Sequence, residues 1–359
     1  MDKIAVDARM INSSGIGTVI QNVLKRIIEL RKNTLFYILG SDETLLKYPF
    51  LHNERVRYID CKAPIYSISE QFEMIKKIPN DTNLLWIPHY NIPIFYSGKL
   101  LVTMHDVFHL AMPQYVKGIH KKLYAHFMFS EAVKRASHII CVSNFTKNEL
   151  QKYVSKCEEK VTVVYNGIDC DDYKINYNVG RMYLKPYILF VGNVKPHKNI
   201  RSLIRAFQLI KEEIPHDLVI VGKKDGFITG DEQVARMASE LGKKIFFTGY
   251  ISDDELKNYY SYADLFVFPS YYEGFGLPPL ESMAAGCSNI VCSDIPVLRE
   301  IYGDYVTYFN LYDINDLAAK IIENLQKPPK VNTKPMLNGK SWDRTVSGYL
   351  KVIDDILKD

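Results

Sequence analysis

Two carboxylates, Glu273 and Glu281, stand eight positions apart around the turn Gly274-Phe275-Gly276-Leu277-Pro278-Pro279. The apolar run Ala263 to Ser270 before them reads as a buried strand, and Leu280 to Ala285 after them as the first turns of a helix. Both acids then fall where a strand's carboxyl end meets a helix N-terminus, the place where open α/β sheets bind ligands. Carboxylates accept paired hydrogen bonds from sugar hydroxyls, and glycines let backbone amides close on an anion. The set suits a phosphorylated ligand rich in diols. A loop acid and a helix-start acid favoured by the macrodipole would give the same spacing; the intact Glu-Gly-Phe-Gly-Leu-Pro in its strand-turn-helix setting favours the chemical reading.

A second constellation, Gly192-Asn193-Val194-Lys195-Pro196-His197-Lys198-Asn199, follows the run Tyr187 to Val191 and opens a helix near Ile200. A glycine turn, a helix N-terminus and a lysine make an anion site suited to a diphosphate. A lysine that merely faced solvent there would oppose the helix dipole. Ser14-Gly15-Ile16-Gly17-Thr18 reads as a flexible turn entering a helix, with two glycines for close backbone approach. It fails as a dinucleotide fingerprint, because Ile20 stands at the third glycine position and no well-placed acid follows. That disfavours a Rossmann oxidoreductase. His105-Asp106 directly follows the run Leu100 to Met104; such a His can contact a sugar hydroxyl and orient reacting groups, and the pair can also simply cap backbone. His89 and His109 are weaker candidates, structural or acceptor-side.

The elements that must hold these residues are legible as alternation. Seven short β-rich runs from Lys3-Val6 to Val161-Val164 alternate with helical patterns; after a polar break, six more run from Tyr187-Val191 to Val306-Phe309. Such alternation means two parallel, doubly wound α/β sheets, read here as two Rossmann-like domains facing a cleft. The expected division is a domain over 1–165, a linker over 166–185, a domain over 186–341 and a terminal helix over 342–359. That helix spaces Val346, Tyr349, Leu350, Ile353 and Ile356 on one side and can cap either domain.

Bulk properties bound the rest. At 359 residues, 24% charged and 47% hydrophobic, the chain is an ordinary globular protein long enough for two cores. A net charge of +4 is too small to argue for nucleic acid. The most apolar stretch, Leu84 to Ser97, is interrupted by Pro88, His89, Asn91 and Pro93, and Met1-Asp2-Lys3 leads into a strand without a signal-peptide pattern, so the cytoplasm is expected. Cys61, Cys141, Cys157, Cys170, Cys287 and Cys292 are scattered, mostly in strand-like runs, and read as buried thiols. The segment Gly118 to Arg135 mixes Lys121, Lys122, Lys134 and Arg135 with Leu123, Tyr124, Phe127 and Phe129; it fits peripheral contact with an anionic membrane and equally a core helix with a solvated edge.

The Glu273 to Glu281 segment resembles the Glu-x7-Glu motif of family-4 glycosyltransferases, and the resemblance extends over nearly the whole chain. It implies the GT-B fold and a metal-independent, cofactor-free, retaining transfer of a hexose from a nucleotide-sugar. The implied donor is GDP-mannose or a UDP- or dTDP-hexose, and the implied acceptor is a hydroxyl of a glycan or lipid-linked oligosaccharide in surface polysaccharide synthesis. It implies that Glu281 holds the ribose diol, and that Glu273 with Gly274, Phe275, Gly276 and Leu277 holds the hexose. Lys198, with Gly192 and Asn193, would meet the diphosphate, and Gly15 and Gly17 would lie beneath it. Gly222, Lys223, Tyr250 and Ile251 would line the nucleobase pocket. Val102-Thr103-Met104-His105-Asp106 is similar to a branch in which the His faces the transferred sugar, making His105, Glu273 and Lys198 the catalytic set. Asn193 and His197 stand where many relatives have Arg, which leaves Lys198 as the main fixed charge. In that fold the terminal helix crosses back to the first domain. Asp169-Cys170-Asp171 superficially matches the metal motif of the other large glycosyltransferase fold and reads instead as linker. A nucleotide-sugar epimerase and a non-catalytic nucleotide-sugar sensor are the alternatives; no cofactor-bearing Lys or second carboxylate set is recognisable.

Overall fold

The computed structural model describes residues 1–154, 158–174, 180–222 and 232–358, which form two compact units. The first is Met1–Gly167 with Trp342–Asp359, and the second is Ile168–Ser341.

In the first unit seven strands, β1 (Asp2–Asp7), β2 (Thr34–Gly40), β3 (Val56–Asp60), β4 (Leu84–Ile87), β5 (Leu100–Met104), β6 (His138–Cys141) and β7 (Val161–Val163), form one sheet in the order β3-β2-β1-β4-β5-β6-β7. Each pairing is parallel. β4 and β5 are buried along their whole length, as expected of strands covered by helices on both faces. The strand order reverses between β1 and β4, so the crevice at their carboxyl ends is a topological switch point. The helix Ser14–Leu30 turns Val19, Ile20, Val23, Leu24, Ile27 and Ile28 inward at helical spacing.

The terminal helix Trp342–Lys358 belongs to this same core. Its Tyr349 hydroxyl lies 3.1 Å from Thr103 Oγ1, and its ring meets Trp86 edge-on at 5.4 Å. Gly348 permits the close approach, since a Cβ there would stand 2.8 Å from Val164 Cγ1.

The second unit repeats the plan with β8 (Tyr187–Val191), β9 (Asp217–Val221), β10 (Ile245–Gly249), β11 (Leu265–Phe268), β12 (Ile290–Ser293) and β13 (Thr307–Phe309) in the order β10-β9-β8-β11-β12-β13. Its switch point lies between β8 and β11. The helix Ile200–Ile210 buries Ile200, Leu203, Ile204, Phe207 and Ile210 against this sheet's core.

Three expectations are corrected. Ser14 to Thr18 is not a flexible turn: the helix already begins at Ser14, so Gly15 and Gly17 sit in its first turns. The helix after Gly276 runs Leu277–Ala284, starting before Leu280, because Pro278 and Pro279 occupy first-turn positions where no amide hydrogen is needed. The stretch expected as a linker over 166–185 divides after Gly167. Beyond that point its described residues pack on the second unit: Ile168 N donates to Lys340 O at 2.7 Å, the Tyr183 hydroxyl to Asp217 at 2.7 Å, and Arg181 lies over the Tyr187 ring. It lacks periodicity in sequence, yet Tyr173, Arg181 and Tyr183 find partners. Cys61, Cys141, Cys287 and Cys292 are buried cysteines and Cys170 is half-buried; Cys157 lies outside the described residues.

Candidate active site

The second unit's switch point gathers the strongest sequence signals. β8 ends at Val191 and β11, its neighbour, at Phe268. The loops leaving them are tied by Tyr271 N donating to His197 O at 2.8 Å. Across that tie Lys198 Nζ lies 2.6 Å from Glu273 Oε1, with both side chains mostly buried and the ammonium 5.7 Å from the Phe268 ring centroid. Lys198 is therefore no solvated helix-start lysine. It ends a short 3-10 turn, Pro196–Lys198, and Asn199 reverses the chain into the next helix with a left-handed φ of 55°.

The Glu273 side of the site is rigidly held. Gly276, at φ +85°, is the N-cap of the Leu277 helix, and a Cβ there would stand 2.9 Å from Leu298 Cδ2. Its carbonyl accepts a short hydrogen bond from the buried Tyr302 hydroxyl, while Gly274, Phe275 and Leu277 are buried around it. Ser270 Oγ and Asn199 Nδ2, both buried beside these loops, have no hydrogen-bond partner among the described residues. Orphaned polar atoms at such a place suit a ligand or water.

Glu281 projects from the following helix and accepts from the Tyr260 hydroxyl at 2.9 Å and from the Tyr173 hydroxyl. Burial raises its pKa and the two phenols oppose that rise. Tyr173 and Tyr260 were not foreseen; one comes from the stretch read as linker and the other from a helix otherwise unremarked. At β9, a Cβ on Gly222 would overlap the Gly192 carbonyl oxygen, so adjacent strand ends approach backbone to backbone. Asn193 is half-buried on the same loop as Lys198. Lys223 lies outside the described residues. Tyr250 and Ile251 follow β10, two strands from β8; Tyr250 is exposed, just ahead of a helix capped by Ser252 and Glu255.

The remaining candidates belong to the first unit. His105, at the end of β5, donates from Nε2 to the Pro88 carbonyl at 3.0 Å, which leaves Nδ1 as an acceptor. Burial holds its pKa down to about 4, against the Pro88 bond, and His89 lowers it further. The ring is thus neutral near pH 7. Asp106 caps the backbone N of Phe108 at 2.8 Å. Gly15 has open space where a Cβ would stand, whereas at Gly17 a Cβ would overlap the Ile11 carbonyl oxygen.

A buried charge network at the β1/β4 switch point also escaped the sequence reading. Arg9 bonds Asp7 Oδ2 at 2.7 Å and Glu70 Oε1 at 2.6 Å, and His89 Nε2 lies 3.0 Å from Asp7 Oδ2. Burial opposes ionisation of Asp7, but Arg9 and His89 hold it far below the usual carboxylate range. Among the described residues Asp7, Glu70 and His89 stand close enough to share a metal ion; Arg9 already supplies positive charge to both carboxylates. Glu70 Oε2 accepts the amide of Tyr66 at 2.8 Å, holding that residue at φ 69° beside Tyr90 and His109. Asp7 and Arg9 flank the end of the first strand; Glu70, in an ordinary-looking helix, carries no such signal.

Residues 14–172 match the family model described as Glycosyltransferase Family 4, and residues 183–342 the one described as Glycosyl transferases group 1. The chain is 30% identical over 266 residues to the O-antigen chain mannosyltransferase RfbU of Salmonella typhimurium, covering 74% of this chain and 70% of that one. It is 29% identical over 258 residues to the O-antigen chain mannosyltransferase B of Escherichia coli, where it spans 66% of itself and 65% of the relative's length. The fold is similar to that of Anabaena Alr3699/HepE, solved with UDP and glucose, with a TM-score of 0.78 over 99% of this chain and 100% of that one at 16% identity.

Proposed function

We propose, from the premise that the chain belongs to the family-4 glycosyltransferases, that it moves a hexose with retention from a nucleotide-sugar to an acceptor hydroxyl. The observation that carries this reading is the 2.6 Å Lys198–Glu273 pair at the β8/β11 switch point, with Glu281 on the next helix. GDP-mannose is the first donor to test, because both mannosyltransferase relatives work in O-antigen chains by name; a UDP- or dTDP-hexose is the second. The acceptor is a hydroxyl of a glycan or lipid-linked oligosaccharide.

In this reading the donor replaces the internal ion pair. Its diphosphate takes Lys198, and hexose hydroxyls take Glu273 and the amides of Gly274, Phe275 and Gly276. Glu281 accepts the ribose diol beside its two tyrosine donors. Gly192, Asn193 and Gly222 give the backbone close approach to phosphate, and Tyr250 and Ile251 face the base. His105 offers its Nδ1 as an acceptor for a sugar hydroxyl. The acceptor oxygen bonds the anomeric carbon as the bond from that carbon to phosphate oxygen breaks, and the acceptor's proton passes to the leaving phosphate oxygen on the same face. Lys198 and the backbone amides neutralise the departing charge, so no metal is assigned.

A thermal-shift panel of GDP, UDP, dTDP and their sugars, run in EDTA, tests the donor site, since stabilisation grows with the logarithm of saturation. One nucleotide series should raise Tm, and release of its diphosphate should follow. Stabilisation without turnover would favour the sensor; no stabilisation by any member would remove the donor assignment.

A further inference from the structure

We propose that the first unit carries a two-helix face that docks on an anionic lipid bilayer, formed by the helices Ile68–Lys77 and Ile119–Arg135 together with Phe95. The Ile119 helix turns Ala125, Met128, Phe129, Ala132 and Val133 into the core. On its other side Ile119, Leu123 and Phe127, four residues apart each time, are 69%, 65% and 50% exposed. A helix serving only as core cover places charged and polar residues there.

The Ile68 helix has its polarity reversed. Glu70, Gln71 and Met74 point inward, while Ile68 and Phe72 are 81% and 65% exposed. Glu70 and Gln71 are paired inside, by Arg9 and by the backbone of Ile92 and Ile94, whereas Ile68 and Phe72 on the outer face forgo apolar burial unless something apolar covers them. Phe95 extends that face, 63% exposed with its ring 6.4 Å from Phe72. The helices adjoin through Asn91, which donates to Glu70 Oε2 at 2.6 Å and accepts from the Tyr124 hydroxyl at 2.5 Å.

Charge selects the occupant. The acids of the Ile68 helix are used internally, Glu70 by Arg9 and Glu73 by Lys77 and the Ala63 amide. The sole acid of the Ile119 helix, Glu131, lies in its second half and is bonded to Arg135. Lys76, Lys117, His120 and Lys121 remain exposed near the apolar residues. Aromatic and aliphatic side chains with basic neighbours fit an interface of acyl chains beneath anionic headgroups. Sequence spacing singled out the Ile119 helix but left its role open; the reversed Ile68 helix favours the bilayer.

The test needs no donor, so its outcome is independent of the glycosyl-transfer reading. The full chain is co-sedimented with vesicles of phosphatidylcholine alone and of phosphatidylcholine mixed with phosphatidylglycerol, at low and high salt. Binding should require phosphatidylglycerol and weaken with salt. Lys121→Glu should lower partitioning by roughly fivefold to tenfold, and Phe72→Ser with Leu123→Ser should lower it by on the order of tenfold or more. Melting curves and circular dichroism spectra of each variant establish that it is folded. Equal sedimentation of parent and folded variants, or no binding by the parent, would overturn the proposal. So would light scattering showing a dimer that the apolar variants dissociate, which would assign the face to a second copy of the chain.

Discussion

Glu273 and Glu281 lie eight residues apart and have different partners, so their substitutions should separate. Glu273 faces Lys198, and Glu281 faces Tyr260 and Tyr173. Glu281→Gln, which keeps an acceptor for the tyrosines, should weaken nucleoside diphosphate binding, each lost carboxylate-hydroxyl bond costing about 1.5–3 kcal/mol. Glu273→Gln should spare that affinity and depress turnover. Calorimetry with the cognate nucleoside diphosphate checks both, and parental affinity in Glu281→Gln would remove the ribose assignment. His105 gives a pH prediction. Its folded pKa, about 4, lies below its ordinary 6.5, so the unfolded chain binds the extra proton between those values. The stabilisation is complete above about pH 6.5 and is lost as pH falls toward 4. Unfolding free energy should therefore decline on acidification more steeply in the parent than in His105→Gln; equal slopes would contradict the buried neutral ring. At this scale the sequence singles out Glu273, Glu281, Lys198 and His105 as candidates, because each lies in a segment that leaves a strand. Tyr173, Tyr260 and the Asp7–Arg9–Glu70 network stayed hidden, because such partners meet only through the fold and share no local spacing.

At the scale of elements, the two glycines of the first helix have opposite surroundings. Gly17→Ala forces a methyl into the Ile11 carbonyl and should destabilise by about 1–3 kcal/mol. Gly15→Ala meets open space and should be neutral or stabilising by up to about 1 kcal/mol through helix propensity. Denaturant titration of both variants measures this, and equal effects would contradict the packing described. Reading these glycines as a turn was natural, since glycine spacing does not reveal whether a backbone stands close by. Prolines likewise obscured the start of the Leu277 helix, where they occupy amide-free positions. The strands were legible because buried parallel strands are continuous apolar runs, as Leu84–Ile87 and Tyr187–Val191 are.

For the whole molecule, alternation in the sequence implied two doubly wound sheets, and both are present with strand-order reversals at β1/β4 and β8/β11. The apolar spacing of Trp342–Lys358 fits either core, and only the resemblance implied the first, where Tyr349 and Trp86 place it. Function at this scale reduces to a chemical event. The proposed reliance of the leaving diphosphate on Lys198 and backbone amides predicts that turnover persists in excess EDTA; loss of turnover restored by magnesium or manganese would contradict it. The most direct test is time-resolved proton NMR of GDP-mannose, or of the nucleotide-sugar that the binding panel selects, with substrate-level enzyme in EDTA and water or glycan as acceptor. The account predicts nucleoside diphosphate appearing together with a hexose whose first-formed anomer matches the donor's α configuration. A bound donor that stays intact, or a β anomer formed first, would contradict it.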